Sequence, residues 1–317
     1  MRNNKNTETI EGRVWEQDLA LKTVQNQQSA NFGKEFISGT ISVATDEEGL
    51  NVLTVHYTYV TETTKSGKPN ITYTNLKKVM TGKTWVADGK DAAMKVKLTP
   101  AAALNDFYPQ GGDELVSQPR NEGGFVTVIS ELNPDESKRR TFEFDTIITG
   151  VSLVEANPDS NNEEDYAKIN CAIFNFRGDI LPFTMVARNS AAPGSVDYFM
   201  GLEASASNPV YTQVRGEIVN TTVKRTKTVE SAFGEPVVDV KESRAKEWLV
   251  KWAPPETYLF DDESTITAEE LSKAIANRNV YLEEIKTRAK EYYANQSSTP
   301  APTKMPNAEI PKGGFNF

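Results

Sequence analysis

Three observations in the sequence predict a mainly β fold that ends in one amphipathic helix and a flexible tail. Short runs rich in β-branched and aromatic residues alternate apolar with polar positions. Gly, Pro, Asn and Asp punctuate those runs at close intervals. Sustained helical periodicity occurs only near the C-terminus. The 317 residues are enough for one large domain or two modest ones, each able to bury a core.

Residues 1–33 are Asn/Gln-rich and weakly patterned, and are read as an N-terminal arm or an ordered extension. A β-rich region follows over 34–132. Within it, FISGTISVAT (36–45) and NVLTVHYTYVTET (51–63) read as strands around a TDEEG turn. ITYTNLKKVM (71–80), after the loop KSGKPN, also has strand character. Residues 102–122 mix Gly, Pro and acids and read as a connection or insertion, and GFVTVISEL (124–132) as another strand.

A clearer unit spans 140–253. RTFEFDTIITGVSLVEA (140–156) is a long strand interrupted by Gly150, which suits a bulge or bend. KINCAIFNF and ILPFTMVAR form a hairpin around a Gly-containing turn. SVDYFMGLEAS (195–205) is helix-compatible. VYTQVRGEIVNTTVKR and KEWLVKWA are the last two strands, separated by a long loop that makes an arm over 220–246. Strand, two-stranded hairpin, short helix, then two strands is the order of the OB-fold, a five-stranded partly open barrel that binds oligonucleotides on its hairpin face and two loops. The order over 34–132 is weaker and no residue-level repeat accompanies it, so whether that region is a second, degenerate barrel stays open.

Residues 262–296 carry the helix. Thr267-x-x-Glu270 is a capping box, and Leu271, Ile275, Leu282, Ile285, Ala289 and Tyr292 form one apolar stripe. The Pro-rich segment 297–317 reads as a disordered tail ending in Phe315 and Phe317.

Composition excludes more than it selects. Charged residues are 25% and aromatics 9%, an ordinary globular balance, and the net charge of −9 argues against a basic coat for duplex DNA. A nucleic-acid groove depends on local rather than summed charge and survives that argument. One cysteine, Cys171, and one histidine, His56, leave little for a thiol or imidazole metal site, and no cofactor is expected. The polar N-terminus lacks a secretory h-region, and no run approaches the ~18 apolar residues needed to span a bilayer. A cytoplasmic protein without membrane association is expected.

No Gly-rich phosphate loop, GxGxxG or GxSxG occurs, and His56 sits inside an alternating strand without a nucleophile motif nearby, so an enzyme is not expected. Cys171 reads as a small buried hydrophobe. Binding features are better represented. Single-stranded DNA needs cations for phosphates and flat rings for bases. Lys65, Lys68, Lys77 and Lys78 around the first hairpin, and Lys224, Arg225 and Lys227 at the start of the arm, form a candidate basic track, with Phe233 near the arm's tip. The arm also carries Glu230, Glu235, Asp239 and Glu242, so a merely solvated hairpin is an equal reading. Alternation groups Ile169, Cys171 and Ile173 as a core row, which leaves Phe174 and Phe176 on the other face as a stacking platform or a surface needing a cover. Tyr57 and Tyr59 share a face with Leu53 and Val55 and are assigned to the interior. Trp248 and Trp252 share a face, and Trp248 joins the binding candidates.

The stretch from Arg140 to Trp252, with TGV at 149–151, KINCAIFNFRGDILPF, VRGEIVN and KRTKTVESAFGE, resembles bacteriophage single-stranded DNA-binding proteins of the OB-fold class, as do FISGTISVATDEEG, VHYTYV and NITYTNL. The resemblance implies coating of displaced single strands during phage replication or recombination, with replication or recombination proteins as further partners. The tail departs from the acidic tails of many such proteins, with Glu309 set against Lys304 and Lys312. The competing reading is a β-rich virion structural or assembly protein that binds no nucleic acid.

Overall fold

The computed structural model describes residues 4–64, 66–157, 164–229, 233, 237–259 and 266–297. Within them the chain forms two five-stranded barrels of the same topology. The first uses β1 (Asn6–Gln17), β3 (Glu35–Ala44), β4 (Val52–Thr61), β5 (Lys95–Phe107) and β6 (Val116–Val128). Antiparallel pairings β1–β3, β3–β4, β5–β6 and β5–β1, with a short parallel pairing of β4 to β6 at Val55↔Asn121 and His56↔Glu122, close the ring. The second uses β7 (Arg140–Val154), β8 (Tyr166–Phe174), β9 (Ile180–Arg188), β10 (Val210–Val229) and β11 (Val237–Trp252). It closes in the same way, with β9 and β11 as the parallel pair. In each barrel, helix separates the third strand from the fourth: α1 (Ile71–Met80) and α2 (Trp85–Asp88) in the first, α3 (Ser195–Gly201) in the second. That is the OB-fold connectivity, present twice.

Four expectations need correction. Residues 1–33 are not an arm throughout: Asn6–Gln17 is the first strand of barrel 1, and Ala20–Thr23 (β2) pairs with β3. The strand is hard to see because it carries charge where a core position is expected, and Glu8 is fully buried beside Ile10 and Val14. At Gly12 a Cβ would lie 2.0 Å from the Ala44 carbonyl oxygen, so the close crossing of β1 over β3 requires glycine there. ITYTNLKKVM is helix α1, not a strand. Asn70 caps it by accepting the Thr72 amide (3.1 Å), and Tyr73, Leu76 and Val79 bury at helical spacing under a β-branched disguise. Within 102–122, residues 102–107 and 116–122 are the facing parts of β5 and β6, which pair from Val96↔Val128 to Phe107↔Val116, and 108–115 is the turn between them. The loop between the last two strands is largely paired, with its ladder running from Arg215↔Trp252 to Val229↔Val237.

Other readings match. The β7–β8 register shifts between Ile148 and Gly150, the expected irregularity. The Thr267–Glu270 box forms, with the Glu270 amide donating to Thr267 Oγ1 (3.1 Å) and the Thr267 amide to Glu270 Oε2 (3.0 Å). It opens α4 (Ala268–Ser297). The proposed stripe on α4 is only partly covered: Leu271, Leu282, Ile285 and Ala289 are half-buried and Ile275 and Tyr292 exposed, while the buried positions, Ala274 and Arg278, lie outside it. Residues 262–265 and 298–317, including both terminal phenylalanines, lie outside the described residues.

The barrels are joined along β1 and β7, which pair from Asn6↔Phe144 to Ile10↔Arg140. Asn6 knots the seam. Its Nδ2 donates to the carbonyls of Ala102 in barrel 1 (2.8 Å) and Phe174 in barrel 2 (2.9 Å), while its Oδ1 accepts the Ala102 amide (2.9 Å). Helix α4 straps the same junction. Ile266 and Ala274 pack with Phe174 and Tyr211 of barrel 2, and Arg278 makes a two-pronged pair with Asp106 of barrel 1 (2.7 and 2.8 Å). The larger apolar cluster spans both barrels, and a smaller one lies between barrel 2 and α4.

Candidate nucleic-acid interface

The arm is anchored where the barrels meet. At its root Trp248 is only 4% exposed and its indole Nε1 donates to Glu8 Oε1 (2.9 Å), a bond between β11 and β1. The Lys246 ammonium lies 4.5 Å from the centre of the same ring. Burial pushes the Glu8 carboxyl up to about 7, against the opposing pull of the Trp248 bond and the Lys246 charge. Burial likewise lowers the Lys246 ammonium, partly offset by Glu8. Asn51, in the β3–β4 turn of barrel 1, accepts the Asn220 amide (3.1 Å), so the other arm strand is held as well.

Beyond that root the ladder sets Lys224 opposite Glu242, Arg225 opposite Lys241 and Lys227 opposite Asp239. By sequence, two of these three register pairs are of opposite charge and the third, Arg225↔Lys241, is of like charge. Phe233, near the tip, is strongly exposed.

A second feature sits at the β8–β9 turn. Asn175 Oδ1 accepts the amides of Arg177 (2.8 Å) and Asp179 (3.0 Å), its Nδ2 donates to Asp179 Oδ2 (2.9 Å), and Gly178 takes a positive φ of 83°. This braced turn holds Phe176 91% exposed, with the Arg177 guanidinium 5.2 Å from its ring centre. A ring with a cation against it can stack a base and neutralise the adjoining phosphate. A comparable pair on the last strands is Trp252 with Arg215, 4.5 Å apart, although Arg215 also meets Glu143 (2.9 Å).

The predicted residues do not converge on one surface. Phe174 is fully buried: the opposite face of β8 is covered by Ile180, Tyr211, Ile266 and Ala274, so of the two expected alternatives, a stacking platform or a cover, it has the cover. Trp248 is also buried, as part of the barrel junction, and neither ring can stack a base. Phe176 and Phe233 are exposed. Lys77 and Lys78 are exposed in the last turn of α1, where cations favour the helix terminus, and Lys77 lies over Tyr73 (5.1 Å). Lys68 is exposed in the loop after β4, and Lys65 lies outside the described residues. Lys224, Arg225 and Lys227 occupy the arm ladder. Arg177 and Arg215 were missed. The Asn-x-x-Gly-Asp turn pattern could have found the first, but only the β10–β11 register reveals the second.

Elsewhere the electrostatics serve packing. Lys90, Arg139 and Arg13 surround Glu47, and their hydrogen bonds hold its carboxyl down to about 2. His56, half-buried between Thr40 and Glu122, is lowered by burial and by Arg120. Burial pushes the Cys171 thiol up to about 12, which leaves it unreactive. Among the described residues, no three His, Cys, Asp or Glu side chains gather as a metal site requires, and no helix is long and apolar enough to cross a membrane.

A family model described as YorF matches residues 5–288, from the first strand of barrel 1 into α4. The chain belongs to the YorF family. In three dimensions this YorF-family chain is similar to two solved structures of the single-stranded DNA binding protein from Thermus aquaticus. One, a deletion mutant, is 9% identical with a TM-score of 0.46, over 83% of this chain and 100% of that one. The wild-type protein is 10% identical with a TM-score of 0.44, over 82% and 97%. Comparison with curated proteins gives no match.

Proposed function

We propose that this YorF-family protein binds single-stranded DNA without catalysing a reaction on it, using barrel 2 and its arm. The observation that carries this reading is the Phe176–Arg177 turn. A phenylalanine left almost wholly in water is unfavourable, yet Asn175 and Gly178 brace the turn that presents it. Exposed ring plus adjacent guanidinium is a pairing that unpaired bases and their phosphates use, at ~1–3 kcal/mol per stacked base. The arm supports it with Lys224, Arg225 and Lys227, all carried by one strand of the β10–β11 ladder. The likeness of KINCAIFNFRGDILPF and KRTKTVESAFGE to bacteriophage single-strand binders extends the reading to coating displaced strands in replication or recombination.

Titration with oligo-dT at two salt concentrations tests it, read by tryptophan fluorescence and checked by anisotropy of a labelled strand. Affinity should fall with salt at a log–log slope of about −0.7 for each phosphate contacted. Absence of binding at low salt, or equal binding of duplex, overturns the assignment in favour of a scaffolding role.

A further inference from the structure

Barrel 1 presents aromatic rings of its own. Phe36, at the start of β3, and Tyr59, near the end of β4, have ring centres 4.6 Å apart at 40°, and Tyr59 is 45% exposed. Tyr59 continues the row Leu53, Val55, Tyr57, which is interior, but the β3–β4 register shifts between Ile37 and Gly39 and the row leaves the core there. Register places Lys22 of β2 directly opposite Phe36, and Phe36 directly opposite Thr61, so strand alternation sets Lys22, Phe36 and Thr61 on one face, with Glu35 on an alternate position. The turn joining β2 to β3 adds exposed Phe32 and Lys34, and the loop leaving β4 adds exposed Lys68.

We infer that Phe36 and Tyr59 form a second base-stacking site, flanked by Lys22, so that one DNA strand contacts both barrels. The inference rests on the single-strand reading above and extends it to a separate surface. A few rings are too small for a stable protein interface, which takes ~800 Å² per partner. Rings bordered by lysines instead match a polyanion carrying flat bases. The β2–β3 hairpin has a function in this arrangement: it carries Lys22 across from the ring that it serves.

The test uses the full chain and a dT30 strand carrying 5-iododeoxyuridine at single positions. Irradiation of the wild-type complex should cross-link peptides containing Phe36 or Tyr59 as well as peptides from barrel 2. Phe36→Ala combined with Tyr59→Ala should weaken binding at high salt about tenfold or more, whereas Tyr59→Phe stays within about twofold. Lys22→Gln should reduce the salt slope by about 0.7. Thermal unfolding verifies that each variant is folded; if the double variant is not, the cross-link map on wild-type protein and the Lys22→Gln slope decide. Cross-links confined to barrel 2, with a Lys22→Gln slope equal to that of wild type, overturn this inference and leave the single-strand reading intact. Failure of wild-type protein to bind any single strand overturns the reading itself.

Discussion

The two barrels share a topology and differ in what their loops do. In barrel 1 the turn between second and third strands is tied down: Asp46 accepts the amides of Leu50 (3.0 Å) and Asn51 (2.7 Å), and Asn51 reaches across to β10. The equivalent turn of barrel 2 presents Phe176 to solvent. The hairpin of fourth and fifth strands in barrel 1 lies under α4, through Asp106–Arg278 and the Tyr293 hydroxyl donating to the Tyr108 carbonyl (3.3 Å). Its counterpart in barrel 2 is extended as the arm. One barrel closes its loops into the junction and the other turns them outward. The lesson is that identical frameworks acquire different tasks at their connections, where sequence is least constrained by packing.

That contrast can be broken most severely at the strap. Arg278→Ala leaves Asp106 with a nearly inaccessible carboxylate and no guanidinium, and should cost about 3–5 kcal/mol, read by denaturant unfolding. Truncating the arm should separate stability from binding. Replacing residues 225–241 by Asn-Gly should lower single-strand affinity roughly 100-fold at low salt by removing several phosphate contacts. The same trimming of residues 109–114 in the β5–β6 turn should leave affinity unchanged.

Glu8 sharpens the comparison, because it belongs to barrel 1 but holds the arm of barrel 2. Its folded pKa, about 7, lies above the unfolded value of 4.5, so the native state retains the proton more strongly. Its contribution to stability is fully present below pH 4.5 and is lost as pH rises towards 7. Glu8→Gln should remove that slope, a difference on the order of 1–3 kcal/mol between the two ends of the window, measured by unfolding at several pH values. Smaller again, Phe176→Ala should weaken binding about tenfold at high salt with unchanged thermal stability. Lys227→Gln should alter only the salt slope, by about 0.7.

Barrel 2 was legible because its strands obey alternation, its turn residues fall where turns occur, and Gly150 marks its irregularity. Barrel 1 was not, for reasons that lie in particular residues. Glu8 and Glu11 interrupt the apolar pattern of β1 because their partners are distant: the Trp248 indole bonds one oxygen of Glu8, and the Asn133 amide bonds Glu11. Thr72, Tyr73 and Val79 gave a helix the composition of a strand, although the cap at Asn70 was visible. At the candidate site, exposure of Phe176 follows from the turn that starts at Asn175, just past the end of β8, but burial of Phe174 depends on a helix nearly a hundred residues away in sequence. Tyr59 failed in the opposite sense, since a register shift that no local pattern announces turned it outward.

The seam between β1 and β7 has a consequence for the order in which the molecule assembles. Barrel 1 can close as soon as β6 has been synthesised, yet the Asn6–Ile10 edge then still waits for a strand that begins at Arg140. An open edge of that kind invites pairing with a neighbouring chain, and an ionised residue in its midst is among the devices that discourage it. Glu8, awkward for a finished core, occupies the middle of that edge; the residue that complicates the mature junction guards the nascent one until its tryptophan arrives.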